Sequence, residues 1–339
     1  MLLAVGSSLS MTVSSTDRSQ LSATIMVVAY RMEKTILETV EAALAQTVPC
    51  QIIISDDASG DRGYEIAAAR VAQYNGPHQV IVRCNDTNQG LCGHLNTLAT
   101  MATGDVFVFM AGDDVSHPHR VRELLLALQK HPDAYAVGSR VDEIDAAGNV
   151  LRRGVWGLPS PMTQYQFLHC GKFVTLLGAS MAIRRELMIG LPPLKGMVED
   201  NMLSLRASLF GPLYCLPESL LLYRRHDSNL GSWVYSREGG KRAARRRRYE
   251  RTIRMYREIA DDHERCLNAL PQLAPDIQRR GRQIVAMYRI EAASREVVLD
   301  EPKIAWLPHI WRGLTHPGLR RKSLERAFKL LLPRRWIGL

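Results

Sequence analysis

Through the first 130 residues, short apolar runs alternate with stretches where apolar positions recur every three or four residues. Ala23–Tyr30 (ATIMVVAY) is an unbroken apolar run rich in strand-forming residues, which predicts a buried strand. Glu33–Thr47 follows with Ile36, Leu37, Val40, Ala43 and Leu44 on one helical face. Gln51–Ser55, Gln79–Arg83 and Asp105–Met110 repeat the strand pattern, and Tyr64–Tyr74, Gly90–Ala102 and a segment from Pro118 to Lys130 read as the helices between them. His131-Pro132 ends the last of these. Strands alternating with helices at this spacing predict an α/β fold, a mostly parallel sheet covered by helices on both faces. Beyond residue 134 the pattern loosens into shorter strands and loops, with Met202–Phe210 helical and Leu220–Leu222 a strand. Beyond Ser236 it changes to long, charged helical segments.

Charge sharpens this division. Residues 1–236 hold 19 Lys and Arg against 22 Asp and Glu, whereas residues 237–339 hold 25 against 12. A near-neutral body with a basic tail predicts that catalysis and localisation are separate tasks. No apolar run approaches the roughly 18 residues of a membrane-spanning helix. The Ser/Thr-rich first 21 residues read as a disordered leader, with Met11 an alternative start. Six scattered cysteines without a C-x-x-C pair argue against a zinc knuckle or a disulfide scaffold, and fit a reducing cytoplasm.

In a doubly covered parallel sheet, ligands bind beyond the carboxyl ends of the strands. Two of the predicted strand ends carry acidic pairs, Asp56-Asp57 and Asp113-Asp114. The second pair suits a hard divalent cation that keeps positions open for water and phosphate, although a turn Asp capping the next helix is an equally good reading of it alone. Glu199-Asp200 precedes a helical stretch, where acidic residues commonly cap; the same carboxylates also suit a general base. Tyr223-Arg224-Arg225-His226 follows a strand and offers nitrogen to a metal or positive charge to a diphosphate.

The order of these pieces resembles the family 2 glycosyltransferases of the GT-A fold. The resemblance covers about residues 22–232 and rests on Ala29-Tyr30, Asp56-Asp57-Ala58-Ser59-Gly60-Asp61, Asn88-Gln89-Gly90 with Asn96, Gly104-Asp105, Asp113-Asp114, Glu199-Asp200 and Tyr223-Arg224-Arg225-His226. It implies an inverting transferase that moves a sugar from a nucleotide-diphosphate sugar, UDP-linked by default, to a hydroxyl of a carbohydrate or lipid-linked acceptor in cell-surface polysaccharide or glycolipid assembly. It further implies nucleotide contacts at Ala29, Tyr30, Asp57 and Asn96, a Mg2+ or Mn2+ ion held by Asp113, Asp114 and His226, and Asp200 as catalytic base with Glu199 beside it. One departure stands out: Ala111 replaces the first Asp of the family's Asp-x-Asp motif, which removes the expected ribose contact and leaves metal duty to Asp113.

The tail, residues 233–339, reads as a basic helical extension. Arg237–Asn268 concentrates arginines on helix, and Leu319–Leu332 sets Leu324, Ala327, Phe328 and Leu331 on one side, with Trp306, Trp311 and Trp336 nearby. A basic amphipathic helix with aromatics suits peripheral attachment to an anionic membrane at the inner face of the cell; a helix docked on the body with a solvated charged face explains the pattern as well. No motif for nucleic acid accompanies the arginines. Two alternatives compete with the transferase: a nucleotidyltransferase, which would place a Gly-rich basic loop where Ala29-Tyr30-Arg31-Met32-Glu33 stands, and a non-catalytic scaffold, which Ala111 favours and Glu199-Asp200 disfavours.

Overall fold

The apolar runs become the middle of one mixed sheet. A computed structural model describes residues 21–170, 175–226 and 240–332. The leader apart from Leu21, and Trp336 in the tail, lie outside the described residues. The first half runs β1 (Ala23–Ala29), α1 (Ile36–Leu44), β2 (Gln51–Asp56), α2 (Gly63–Val71), β3 (Gln79–Cys84), α3 (Gly90–Met101) and β4 (Val106–Ala111). These strands are parallel in the order β3-β2-β1-β4. Ala29 of β1 lies beside Asp56 of β2, and Val28 beside Ala111 of β4, so the three strands end level. The chain leaves β1 toward one side and returns to its other side at β4. That reversal opens a crevice at the carboxyl ends of β1 and β4.

The chain continues through β5 (Val115–Ser116), α4 (Arg120–Lys130), β6 (Ala136–Ile144), β7 (Val150–Val155), α5 (Gln164–His169), a 3-10 turn at Gly178–Ser180, β8 (Ala182–Arg184), α6 (Glu186–Ile189), α7 (Asp200–Ala207) and β9 (Leu213–Arg224). The sheet extends past β4 as β8-β6-β9-β5, with β7 on β6; β8 is antiparallel to its neighbours and β9 parallel to β6. The expectation of short strands beyond residue 134 is corrected here, because β6 has nine residues and β9 twelve. Both hide from a periodicity reading. β6 is buried almost throughout and so lacks alternation. β9 contains Pro217, yet Leu216 pairs with Ser139 and Ser219 with Arg140, so Pro217 and Glu218 loop out of the ladder where no N–H is needed.

Alternate residues of the central strands feed opposite apolar layers. Val27, Ile52, Ile54 and Val108 pack with Ile36, Val40, Leu124 and Leu128 from α1 and α4. Met26, Ile53, Phe107 and Phe109 pack on the other side with Leu95 and Leu98 of α3.

That second layer also takes in the basic extension. Four helices form it: α8 (Gly240–Ala269), α9 (Pro275–Asp300), α10 (Leu307–Thr315) and α11 (Arg320–Leu330). Ile259 and Cys266 of α8 and Ile284 and Tyr288 of α9 belong to the same buried cluster as Met26 and Phe107. Arg206 of α7 and Asp262 of α8, both nearly inaccessible, join through bonds of 2.9 and 2.6 Å. Much of α8's positive charge is compensated within the extension: Arg246 bonds Glu250 and Asp300, and Arg257 bonds Glu296. The first two helices of the extension are thus a docked wall of the body.

Candidate functional site at the strand ends

Where β1 and β2 end, the backbone turns sharply. Arg31 and Ala58 both adopt φ of 58°, a left-handed conformation that costs a non-glycine residue about 1–2 kcal/mol. The two turns hold each other: Arg31 N donates to Ser59 Oγ at 2.8 Å, and Ser59 N donates to Asp56 Oδ1 at 2.8 Å. This arrangement leaves Tyr30 exposed at the crevice, with the Arg31 guanidinium 5.0 Å from its ring centroid. Ala29 is buried in the strand. Asp57 is buried as well, and its carboxylate accepts from Asn85 Nδ2 at 2.7 Å and from the backbone N–H groups of Gln89 and Gly90 at 2.9 Å each. It therefore fixes the loop entering α3. Asn96, expected at the nucleotide, gives both ends of its amide to the Leu194 backbone, at 2.9 and 3.0 Å, and so ties α3 to the segment before α7.

At the end of β4, Gly112 crosses close over β1: a Cβ there would lie 3.0 Å from the Ala29 Cβ and 3.2 Å from its Cα. The chain then delivers Asp113 and Asp114 and enters the two-residue β5, which pairs Val115 with Leu222 of β9. This short pairing is what brings the two distant motifs together. His226 Nε2 lies 2.7 Å from Asp113 Oδ2. Arg224, 3% exposed, donates its backbone N–H to Asp114 Oδ1 at 2.9 Å and its Nε–H to the Asp113 carbonyl at 2.8 Å. Its guanidinium also pairs with Glu38 of α1. Thr35, just before α1, and Thr39 within it donate to the carbonyls of Gly112 and Asp114, at 2.9 Å each. The sequence offers Arg224 only as positive charge for a diphosphate, whereas here it braces the acidic pair, and it gives Thr35 and Thr39 no role at all. Their signal is weak there, because a hydroxyl that braces a carbonyl looks like any other helix-surface Thr.

Asp114 has no solvent exposure, and its Oδ2 has no hydrogen-bond partner among the described residues. Burial, and then the charge of Asp113, push its carboxyl well above the usual range, against the opposing pull of Arg224 and Arg120. Among the described residues, no three His, Cys, Asp or Glu side chains gather into a metal cage. Asp113 and His226 nevertheless offer one carboxylate and one imidazole at the rim of the crevice. That mixed set suits Mn2+ better than the all-oxygen preference of Mg2+, with water and diphosphate supplying the remaining positions. The enclosed Asp114 fits a bracing role better than coordination.

Glu199 and Asp200 stand at the start of α7. Gly178 packs so tightly against them that a Cβ on it would lie 2.0 Å from Glu199 Oε1 and 3.4 Å from the Asp200 Cβ. The turn that begins at Gly178 leads to Met181, whose carbonyl accepts from Phe109 N of β4 at 3.1 Å, so the pair is seated beside the strand that carries Asp113. Both residues are half-buried. Burial and then the Asp200 charge push Glu199 up to about 8. Burial pushes Asp200 up to about 6, opposed by the backbone N–H of Asn201, which donates to Asp200 Oδ1 at 2.6 Å. Burial thus disfavours ionisation of both carboxyls, and more strongly at Glu199, where the Asp200 charge adds to it. Burial, followed by the charges of Asp114, Asp113 and Asp200, raises the Tyr223 phenol far above its ordinary range.

The sheet reversal, with Asp113 and His226 paired at the end of β4 and Glu199-Asp200 seated by the turn beside that strand, gives the chain a GT-A type α/β fold. Residues 24–190, just under half of the chain, match the family model for glycosyl transferase family 2. Among curated relatives, it is 33% identical over 133 residues to a Bacillus subtilis protein named as a glycosyltransferase, EpsE, covering 39% of this chain and 47% of EpsE. It is 34% identical over 121 residues to the glucosyl-dolichyl phosphate glucuronosyltransferase of Haloferax volcanii, covering 34% of this chain and 37% of that protein. The chain thus spans less than half the length of either. Solved structures share the fold over far more of it. S. aureus TarS 1–349 in complex with UDP-GlcNAc superposes with a TM-score of 0.58 at 16% identity, covering 91% of this chain and 90% of that one. The mannosyltransferase PcManGT of Pyrobaculum calidifontis, in complex with GDP-Man and Mn2+, gives 0.53 at 16% identity, covering 92% and 86%.

Proposed function

We propose that this chain is an inverting, metal-assisted glycosyltransferase that moves a sugar from a nucleotide-diphosphate sugar, UDP-linked by default, to a hydroxyl of a carbohydrate or lipid-linked acceptor. The observation that carries the reading is the pairing of Asp113 with His226 at 2.7 Å, with Glu199 and Asp200 seated by Gly178 at the turn that joins the same strand. Asp200 takes the proton of the acceptor hydroxyl as its oxygen bonds to the anomeric carbon. The bond from that carbon to the diphosphate oxygen breaks with its electron pair, and the nucleoside diphosphate leaves from the opposite face. Protonated Glu199 donates a hydrogen bond at the acceptor side. A divalent cation held by Asp113 and His226 would neutralise charge on the leaving diphosphate. Ala29 and Tyr30 at the crevice edge receive the nucleotide, and Asp57 shapes the loop beside it; with Ala111 in place of an acid, the ribose is held by other groups. The Mn2+ and GDP-Man named with PcManGT, and the UDP-GlcNAc named with TarS, support this class of donor and cofactor.

The test is transfer by Asp200→Asn, with nucleotide binding as a control. Loss of general-base catalysis predicts a fall of about 10²–10⁴-fold in turnover with binding retained. The wild-type rate should rise with pH through about 6, as the Asp200 carboxyl ionises. A wild-type rate in the Asn variant would remove Asp200 from the mechanism.

A further inference from the structure

The end of the described chain carries a surface that the donor site does not use. Of the fifteen large apolar side chains exposed among the described residues, six lie within residues 304–331: Ile304, Leu307, Trp311, Leu324, Phe328 and Leu331. Five of them fall into two ridges. Leu307 and Trp311 are one helical turn apart on α10, and Leu324, Phe328 and Leu331 follow at intervals of four and three residues along α11 and at its C-terminal cap. The opposite sides of these helices are occupied, since Ile310 of α10 packs with Trp306 and Val298, and Ala327 and Leu330 of α11 join that cluster. The outward ridges are therefore left over after the helices have docked. Trp311 is 69% exposed and Leu331 81%, values that packing against the body does not explain.

Charge selects the occupant. Residues 303–332 contain seven Lys and Arg and a single acidic residue, Glu325. Arg312, Arg320 and Arg321 are exposed and make no ion pair among the described residues. A second copy of this face would bring the same excess of positive charge against the first. An anionic lipid surface is complementary on both counts, taking the apolar ridges below its headgroups and the arginines at them. Trp311 has the amphipathic ring that settles at that depth. No described helix is long and apolar enough to cross a membrane, so such a contact lies on the bilayer.

We propose that the α10–α11 pair is a docking face for an anionic bilayer surface. The turn between the two helices sits on α9, where a Cβ on Gly318 would lie 2.5 Å from the Met287 Sδ and His316 Nε2 lies 2.9 Å from the Gln283 carbonyl. Tyr288 of α9 belongs to the same buried cluster as Met202 and Leu203 of α7, the helix that begins at Asp200. On the proposed function, α9 thus joins the docking face to the core beneath the acceptor side and would hold that side at a fixed attitude to the lipid surface.

The experiment is co-sedimentation of the full chain with phosphatidylcholine vesicles, with and without phosphatidylglycerol, alongside the oligomeric state in solution. Binding is expected only to vesicles with the anionic lipid and should weaken as salt rises. Trp311→Ser with Phe328→Ser should lower it at least about tenfold, and Arg320→Glu with Arg321→Glu should abolish the preference for anionic lipid. Tyr165→Ser, an exposed aromatic elsewhere, should change nothing. Nucleoside diphosphate binding confirms that each variant is folded and is independent of the lipid result. Equal binding by wild type and the Trp311/Phe328 variant overturns the proposal. So does a wild-type dimer that this variant dissociates, or vesicle binding lost on removing residues 333–339 but untouched by the changes on α10 and α11.

Discussion

Replacing Glu199 with Gln should flatten the dependence of stability on pH between 6 and 8. The Glu199 carboxyl is raised from 4.5 to about 8, so the folded protein binds this proton more tightly than the unfolded chain does. The stabilisation is complete below the unfolded value and is lost as pH rises through the folded one. Between those values each pH unit removes about 1.4 kcal/mol, so from pH 6 to pH 8 wild type should lose about 2 kcal/mol through this group alone. Gln cannot ionise, is nearly isosteric with the protonated acid, and leaves the packing against Gly178 in place. Its unfolding free energy should lack that component of the slope. The assay is urea unfolding at pH 6, 7 and 8 for both proteins in parallel. Parallel slopes would refute the reasoning, because Glu199 would then ionise as in the unfolded chain and would not be the protonated neighbour of Asp200.

Asp262→Ala should destabilise the fold by about 3–5 kcal/mol, since it strands the buried Arg206 guanidinium; Arg257→Ala, which breaks the exposed pair with Glu296, should cost less than about 1 kcal/mol in the same unfolding assay. Gly178→Ala places a methyl against the flexible end of Glu199, so stability should fall by only about 1–3 kcal/mol. Its turnover should drop while nucleotide affinity holds, measured by steady-state kinetics beside nucleotide titration.

The parallel half of the sheet was legible in the sequence because its apolar runs are continuous and its helices amphipathic. Asp113, Asp200 and His226 were legible as acids and a base at strand and helix ends. The meeting of Asp113 with His226 was not. It depends on β5, two residues long, and on Arg224, whose guanidinium and backbone N–H reach both members of the Asp113-Asp114 pair. Asn96 shows the converse, a motif residue whose amide belongs to a tertiary contact 98 positions away with Leu194. The arginines of α8 read as a charged tail, although acids on α9 and on α8 itself compensate many of them once the two helices pair. Periodicity along one helix carries no information about the charge of the helix that will lie against it.

The central claim, a metal-assisted nucleotide-sugar site at the ends of β1 and β4, is tested most directly by nucleoside diphosphate binding. Thermal stability would be followed with UDP, GDP and dTDP, with and without Mn2+. The account predicts a rise with one nucleotide that needs the metal and disappears in Asp113→Ala. A rise that is the same without metal, or that survives in Asp113→Ala, would contradict it.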